Sequence, residues 1–360
     1  MRHIGVLLLI SLSVCLSAQN TVKMSAVKGD NYGVSYTLPE TEINITASTT
    51  KTIRKAGEFY QYAERYLNIS NPIVKDETTY TLNDITVDLK GIPNKEQSYL
   101  VEFKSNSVAP FVTLTEDGMI CAINEDVSLT REQKEVKTPA TPAKQANPKS
   151  FLSEEILRAG STAKQAEMIA KQIYTLRETR NNILTGEADN MPPDGNAYKI
   201  VMEQLDAQEK ALTSMFIGTE ETEAPIYKTY SIVPDKNNIS KQIIFRFSSK
   251  LGFVGSDNLA GAPVYLTLTN KETKPEIFLT DKEQKVLEKK FQSGIIYNIP
   301  AKADLKIEYD TKTLVQKVCD IVQFGSQEVL TPKELEYKKD QPVKITFYPE
   351  LGAIKEIKRN

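Results

Sequence analysis

Apolar and polar residues alternate with a period of two in several early stretches: Ile43 and Ile45, then Ile85, Val87 and Leu89, then Tyr99, Val101 and Phe103. One apolar side per strand marks a half-buried sheet, so residues 19–124 are expected to be a β-rich domain. Asp117-Gly118, between Val112-Thr113-Leu114 and Met119-Ile120-Cys121-Ala122-Ile123, predicts a hairpin turn. One helix is expected to interrupt this domain from Gly57 to Leu67, where Phe59, Tyr62, Ala63 and Tyr66 recur at helical spacing.

Beyond residue 124 the period changes. Residues 125–150 have none, and Lys137-Thr138-Pro139-Ala140-Thr141-Pro142-Ala143-Lys144 predicts an exposed, extended linker. Over 151–218, Ala166, Ile169, Ile173, Leu176, Arg180 and Ile183 recur in steps of three and four. Tyr198, Val201, Leu205, Gln208, Leu212 and Met215 do the same. The stretch between them, Asn190-Met191-Pro192-Pro193-Asp194-Gly195, cannot be helix interior. Two amphipathic helices, each about 30 Å long, therefore form an antiparallel hairpin. Thr162 followed by Gln165 predicts a capping box at its start.

From 219 to 360 the alternation returns, in Ile243/Phe245/Phe247, Val264/Leu266/Leu268, Leu305/Ile307/Tyr309 and Val343/Ile345/Phe347. The expected fold class is α+β, with two β-rich, sandwich- or barrel-like regions flanking an antiparallel two-helix hairpin. A faint echo links the two β regions. Gly33-Val34-Ser35-Tyr36-Thr37-Leu38-Pro39 resembles Gly294-Ile295-Ile296-Tyr297-Asn298-Ile299-Pro300, each followed by an alternating pair, Ile43/Ile45 and Leu305/Ile307.

The chain begins with Met1-Arg2-His3, an apolar run from Ile4 to Val14, and Cys15-Leu16-Ser17-Ala18 before Gln19. That order reads as a secretory signal peptide over residues 1–18, cleaved after Ala18, and the run is too short for a permanent span. The expected location is the periplasm or cell surface. Leu12-Ser13-Val14-Cys15 also resembles a lipobox, although Val14 is bulkier than that motif allows, so a lipoprotein anchored through Cys15 is the rival reading.

Composition narrows the chemistry. Lys and Arg number 45 against 47 Asp and Glu, a net charge of −2, which leaves no basic excess for nucleic acid. The single histidine, His3, is lost with the leader, so no Ser-His-Asp or Cys-His nucleophile and no His-ligated metal is expected. No cofactor is expected. Cys121 and Cys319 remain, each in an apolar strand-like segment, either paired or buried singly.

Three motifs suggest particular chemistries. Ser161-Thr162-Ala163-Lys164 and Ser256-Asp257-Asn258 match the S-x-x-K and S-D-N elements of penicillin-recognising enzymes, but no K-T-G strand accompanies them. Glu187, Asp189 and Asp194 offer oxygens for Ca²⁺ without the spacing of an EF-hand, and Asp194 suits a helix cap. Tyrosines number 16 and tryptophan is absent, which weakens a sugar-stacking role.

Four stretches carry a family resemblance: Gly57-Glu58-Phe59-Tyr60-Gln61-Tyr62-Ala63-Glu64-Arg65-Tyr66-Leu67, Ala159-Gly160-Ser161-Thr162-Ala163-Lys164, Gly186-Glu187-Ala188-Asp189-Asn190-Met191-Pro192 and Gly294-Ile295-Ile296-Tyr297-Asn298-Ile299-Pro300-Ala301. Through them the chain resembles an uncharacterised family of exported proteins from gut Bacteroidetes, a domain of unknown function. It departs from that family at Ala56, where a proline is usual. The resemblance implies an envelope location and supplies no catalytic residues.

The function expected is that of an exported, non-catalytic envelope protein that binds or organises an unknown protein or envelope glycan. The alternatives are a glycan-processing enzyme using paired carboxylates and a carbohydrate-binding module. Met168, Tyr174, Ile200 and Met202 fall outside the stripe that joins the two long helices, and are the expected partner or self-association surface.

The Arg2-to-Ala18 pattern predicts a mature protein that begins at Gln19 and is released by gentle lysis of the envelope. Intact-mass spectrometry checks this, and a diacylated Cys15 would instead establish the lipoprotein.

Overall fold

The computed structural model describes residues 20–23, 33–102, 112–127, 147–189, 195–272, 280–335 and 343–359. In chain order the first strands are β1 (Asn20–Lys23), β2 (Gly33–Lys55), β3 (Glu77–Glu102), β4 (Val112–Leu114) and β5 (Ile120–Ile123). After the helices come β6 (Thr219–Thr222), β7 (Ile226–Ile232), β8 (Ile239–Ser248), β9 (Gly252–Val254), β10 (Ala262–Asn270), β11 (Ile295–Tyr309), β12 (Lys312–Leu330), β13 (Lys344–Tyr348) and β14 (Ala353–Lys358). The helices are α1 (Ala63–Leu67), α2 (Glu154–Leu157), α3 (Thr162–Thr185), α4 (Gly195–Ile217), α5 (Asp281–Phe291) and α6 (Pro332–Leu335).

The architecture is α+β and dominated by sheet. One sheet runs β1-β3-β2, with β6 and β7 following one another along the free edge of β2. A second runs β12-β11-β10-β8-β9 and a third β14-β13-β5-β4. The β regions on either side of the helices therefore share sheets, since β6 and β7 pair with β2 and β13 pairs with β5. Boundaries at 124 and 219 divide the chain but not the sheets, because each region needs the other to cover its apolar face. Most of the expected linker, residues 128–146, lies outside the described residues, as does Phe103.

The alternating residues build the cores as their period requires. Ile43, Ile45, Ala47 and Ile85 of the first sheet meet Phe245, Leu266, Leu268, Leu305 and Ile307 of the second, all buried. A second core joins Tyr36, Leu38, Tyr99 and Val101 to Ile295, Ile296 and Val329, and to Ile120, Ile345 and Phe347 of the third sheet. Each of β2, β3, β11 and β12 thus contributes its ends to two different cores.

The change of core happens at matched irregularities. From Thr37 to Pro39 of β2 the partner strand β3 runs from Ser98 to Pro93, leaving residues 94–97 outside the ladder. From Ile299 to Ala301 of β11 the partner β12 runs from Ser326 to Ile321, leaving 322–325 outside it. Prolines suit these points because the ladder lacks a hydrogen bond there, and Gly325 suits its place because a Cβ would strike the Ile299 carbonyl. The echo between Gly33–Pro39 and Gly294–Pro300 thus has a structural counterpart in two bulged hairpins.

Polar side chains close the gaps where these hairpins cross. Strand β10 pairs with β11 only from Ala303 onward, so the Ile296 backbone faces an open edge. The Tyr36 hydroxyl fills it, donating to Ile296 O at 3.1 Å and accepting from Ile296 N at 2.8 Å. Strand β7 reaches β2 only as far as Ile43, which leaves Thr41 open. Gln323 takes that place: its Oε1 accepts from Thr41 N at 3.1 Å and its Nε2 donates to Thr41 O at 2.9 Å. Asn298, 3% exposed, donates to Pro39 O at 3.2 Å and Leu351 O at 3.1 Å.

Two local expectations are corrected. The helix expected from Gly57 to Leu67 is a 3-10 turn, Tyr60–Tyr62, running into the short α1. Its first turn is diverted because Phe59 N donates to Met215 O at 2.7 Å, and Asn68 ends it in the left-handed region. Helix α3 is capped by Ser161, whose Oγ accepts from Lys164 N at 3.3 Å, rather than by Thr162 and Gln165.

Replacing Tyr36 with Phe should lower the unfolding free energy by about 1–3 kcal/mol, because both Ile296 groups lose their partner without a cavity forming. A urea titration reads this as a lower midpoint at constant slope. The thiols give a second expectation. Cys121 in β5 and Cys319 in β12 are buried and unpaired, and burial pushes Cys121 up to about 11 and raises Cys319. A chain prepared from Gln19 onward should therefore be inert to a disulfide reagent at pH 8 until urea is added, and then expose the two thiols of Cys121 and Cys319.

Candidate functional site

Like α5, none of whose described residues is buried, the helical hairpin is not enclosed by the sheets. Helix α3 runs from the Ser161 cap to Gly186, whose φ of 78° ends it. At the base, Ala166, Ile169, Ala170 and Ile173 of α3 and Leu212, Met215 and Phe216 of α4 are buried with Ile156 of α2 and Phe59, Ala63 and Leu67 of the β2–β3 connection. Gly57 is needed at this contact, since a Cβ would lie 2.5 Å from the Met215 carbonyl.

Halfway out, the seam between the helices turns from apolar to charged. Arg177 Nε meets Glu209 at 2.6 Å, and Arg180 meets Asp206 at 2.7 Å and Glu209 at 3.0 Å. The Asp206 hydrogen bond, with the nearby Glu209 charge, raises Arg180 above its ordinary value, so it stays a cation. Toward the tip, Ile183 is buried while Leu184 is 59% exposed, Ile200 54% and Val201 36%.

The four residues expected as one surface lie at three heights. Met168 is near the base, where it packs on the helical core and lines an open recess of about 550 Å³ with Glu154, Glu155, Arg158, Ala159 and Lys164. Tyr174 is braced against α1: its hydroxyl donates to Tyr66 O at 3.0 Å, and the Arg177 guanidinium lies 5.6 Å from its ring centre. Ile200 and the half-buried Met202 belong to the tip. Leu184, which the sequence reading passed over, belongs there too. Its signal was its spacing, since it continues the stripe Ala166, Ala170, Ile173, Arg177 in steps of three and four.

The other candidate chemistries meet specific obstacles. Ser161 Oγ serves as a cap, and Lys164 is held 3.2 Å from Glu167, whose carboxyl is kept below its ordinary value by Lys171 and Lys164. Ser256 lies in the β9–β10 loop, where Arg246 bonds its carbonyl at 2.8 Å. Glu154 and Glu155 are neighbours on one helix turn and open to water, whereas a glycosidase pair faces across a bond. The Tyr62 and Tyr66 rings stack at 5.9 Å and the Arg65 guanidinium sits 5.5 Å from the Tyr66 centre, which occupies faces a sugar would need. A second recess of about 370 Å³, at the β7–β8 turn, is lined by polar groups already engaged, such as Asp235, which accepts from Asn237 N at 2.7 Å.

Asp194 lies outside the described residues. Among the described residues no three His, Cys, Asp or Glu side chains gather where they would hold a metal, and no helix is long and apolar enough to cross a membrane.

No curated protein and no solved structure gives a significant match. One family model matches residues 32–355, which covers both long β-hairpins and the helical arm. The chain belongs to the family described as a domain of unknown function, DUF4831.

Proposed function

We propose that this is an exported protein of the bacterial envelope that works without catalysis, holding a partner through the outer half of its helical hairpin. Export is supported by the charged start, apolar run and small residue at Ala18, and the periplasm or cell surface is the location that such a leader implies. The resemblance to exported proteins of gut Bacteroidetes agrees with that placement. Attachment through a lipid on Cys15 remains the variant in which the leader is a lipobox.

The observation that carries the reading is the uncovered outer hairpin. Helix α3 buries Ala166, Ile169, Ala170 and Ile173 at the base, but of its last twelve residues only Ile183. Twelve helical residues extend about 18 Å, so a slender element stands clear of the packed base. Large aliphatic side chains at the end of such an element are more costly to leave in water than polar ones. A protein partner is favoured over a glycan, because the exposed large side chains at the tip, Leu184, Ile200 and Val201, are aliphatic, while the ring of Tyr198 beside them is half-buried.

A photo-crosslinking amino acid in place of Ile200, in the native host, is expected to give a discrete light-dependent adduct. The same group in place of Leu251, which is 56% exposed on the β8–β9 turn, should give none. Absence of an adduct at both positions would remove the binding-arm reading.

A further inference from the structure

We infer that the tip of the hairpin docks a cationic protein segment with an apolar face, and not a second copy of this chain. The inference rests on the binding-arm reading above and names the chemistry of the partner.

Two stripes that are buried at the base run out bare at the tip. On α3, Ala166, Ala170 and Ile173 are buried, and the same stripe passes through Arg177 to the exposed Leu184. On α4, Met215 and Ala211 are buried, Ala207 is half-buried and Ile200 is exposed. The Arg177–Glu209 and Arg180–Asp206 pairs set the antiparallel register. That register brings Leu184 level with Met202, within one turn of Ile200 and Val201. An apolar cluster therefore continues faces that this fold buries wherever something is available to cover them.

Charge selects the kind of cover. Asp206 and Glu209 are neutralised by the two arginines, and Glu203 faces Lys199 at 3.8 Å. Just past the end of α3, Glu187 and Asp189 form no ion pair with a described residue, unlike Asp206, Glu209 and Glu203 further in. Aliphatic groups flanked by unpaired carboxylates match a segment that carries leucine-like side chains beside lysine or arginine. A second copy would instead bring like charges together, and a membrane surface rich in anionic lipid would repel the tip.

The test uses the mature chain and two helical peptides, one built of Leu and Lys and one of Leu and Glu. Binding followed by calorimetry is expected for the Leu–Lys peptide alone, weakening about tenfold or more between 50 and 300 mM salt. The pair Glu187→Lys with Asp189→Lys, and separately Ile200→Ser, should each weaken it by about tenfold at unchanged melting temperature. Leu251→Ser should leave it intact. Equal binding of both peptides, or indifference to the charge reversal, overturns the inference. So does a concentration-dependent dimer that Ile200→Ser abolishes. An Ile200 crosslink in cells without any Leu–Lys binding leaves the arm standing and removes only its cationic partner. Leu–Lys binding without a crosslink removes the native role of the arm and keeps the chemistry of its tip.

Discussion

Everything in the β part depends on satisfying backbone groups where the two bulged hairpins cross. A strand that serves two cores must change its neighbours partway along, and at that point its N–H and C=O groups lose their ladder. Buried without partners, each would cost a few kcal/mol, comparable to a large share of a protein's net stability. Here Tyr36 of one hairpin substitutes for a missing strand beside Ile296 of the other, and Gln323 of the second does the same for Thr41 of the first. Gln327 adds a bond to Gln97 at 3.3 Å, so each bulge sends a glutamine to the opposite hairpin. Burial lifts the Tyr36 hydroxyl far above its ordinary value, which keeps it neutral and able both to donate and to accept. The seam is thus reciprocal, and neither hairpin could hold its bend without the other.

The helical arm is rooted in the same construction. The connection between β2 and β3 leaves the sheet at Lys55 and wraps the foot of α4 before returning at Glu77. Its Phe59 N and Ile73 N donate to Met215 O and Ile217 O, at 2.7 and 2.9 Å. On the far side, β6 pairs with β2 directly after α4, with Lys55 opposite Thr219. The foot of the arm is therefore clamped between the two edges of a loop that belongs to the first hairpin. Its direction is set by the sheet rather than by a flexible linker.

Much of this was written locally in the sequence. Period-two alternation marked Ile43, Ile45, Leu266 and Ile307, because the side that packs is decided strand by strand. Period 3.6 marked both long helices, while Pro192 and Pro193, expected between them, lie outside the described residues. Which strands pair was not legible, because β7 and β13 carry patterns that would suit any sheet with an open edge. The seam was also hidden: Gln97, Thr41 and Gln323 look like ordinary surface residues until the crossing places them together. At the candidate site, spacing picked out Tyr174 and Ile200, which are both exposed, but grouped them with Met168 as if they stood at one level. Helical spacing reports the face of a residue and is silent about its height, and the brace from Tyr174 to Tyr66 is a tertiary contact between segments more than a hundred residues apart.

The charged seam halfway along the arm explains how its tip can stay apolar without endangering the fold. Ion pairs such as Arg177–Glu209 add little to stability when partly solvated, but they penalise any shift that separates them. Glu209 is only 15% exposed and is shared by two arginines, so sliding one helix by a turn would leave its charge half-buried and unpaired. An all-leucine seam in its place would tolerate several registers and would attract other helices. The arrangement therefore separates two tasks along one element. Apolar packing at the base supplies stability, charge pairing in the middle supplies register, and the residues at the end are relieved of both. Side chains with neither duty are the ones free to be shaped by a partner, which is why the proposed recognition surface rests on Leu184 and Ile200.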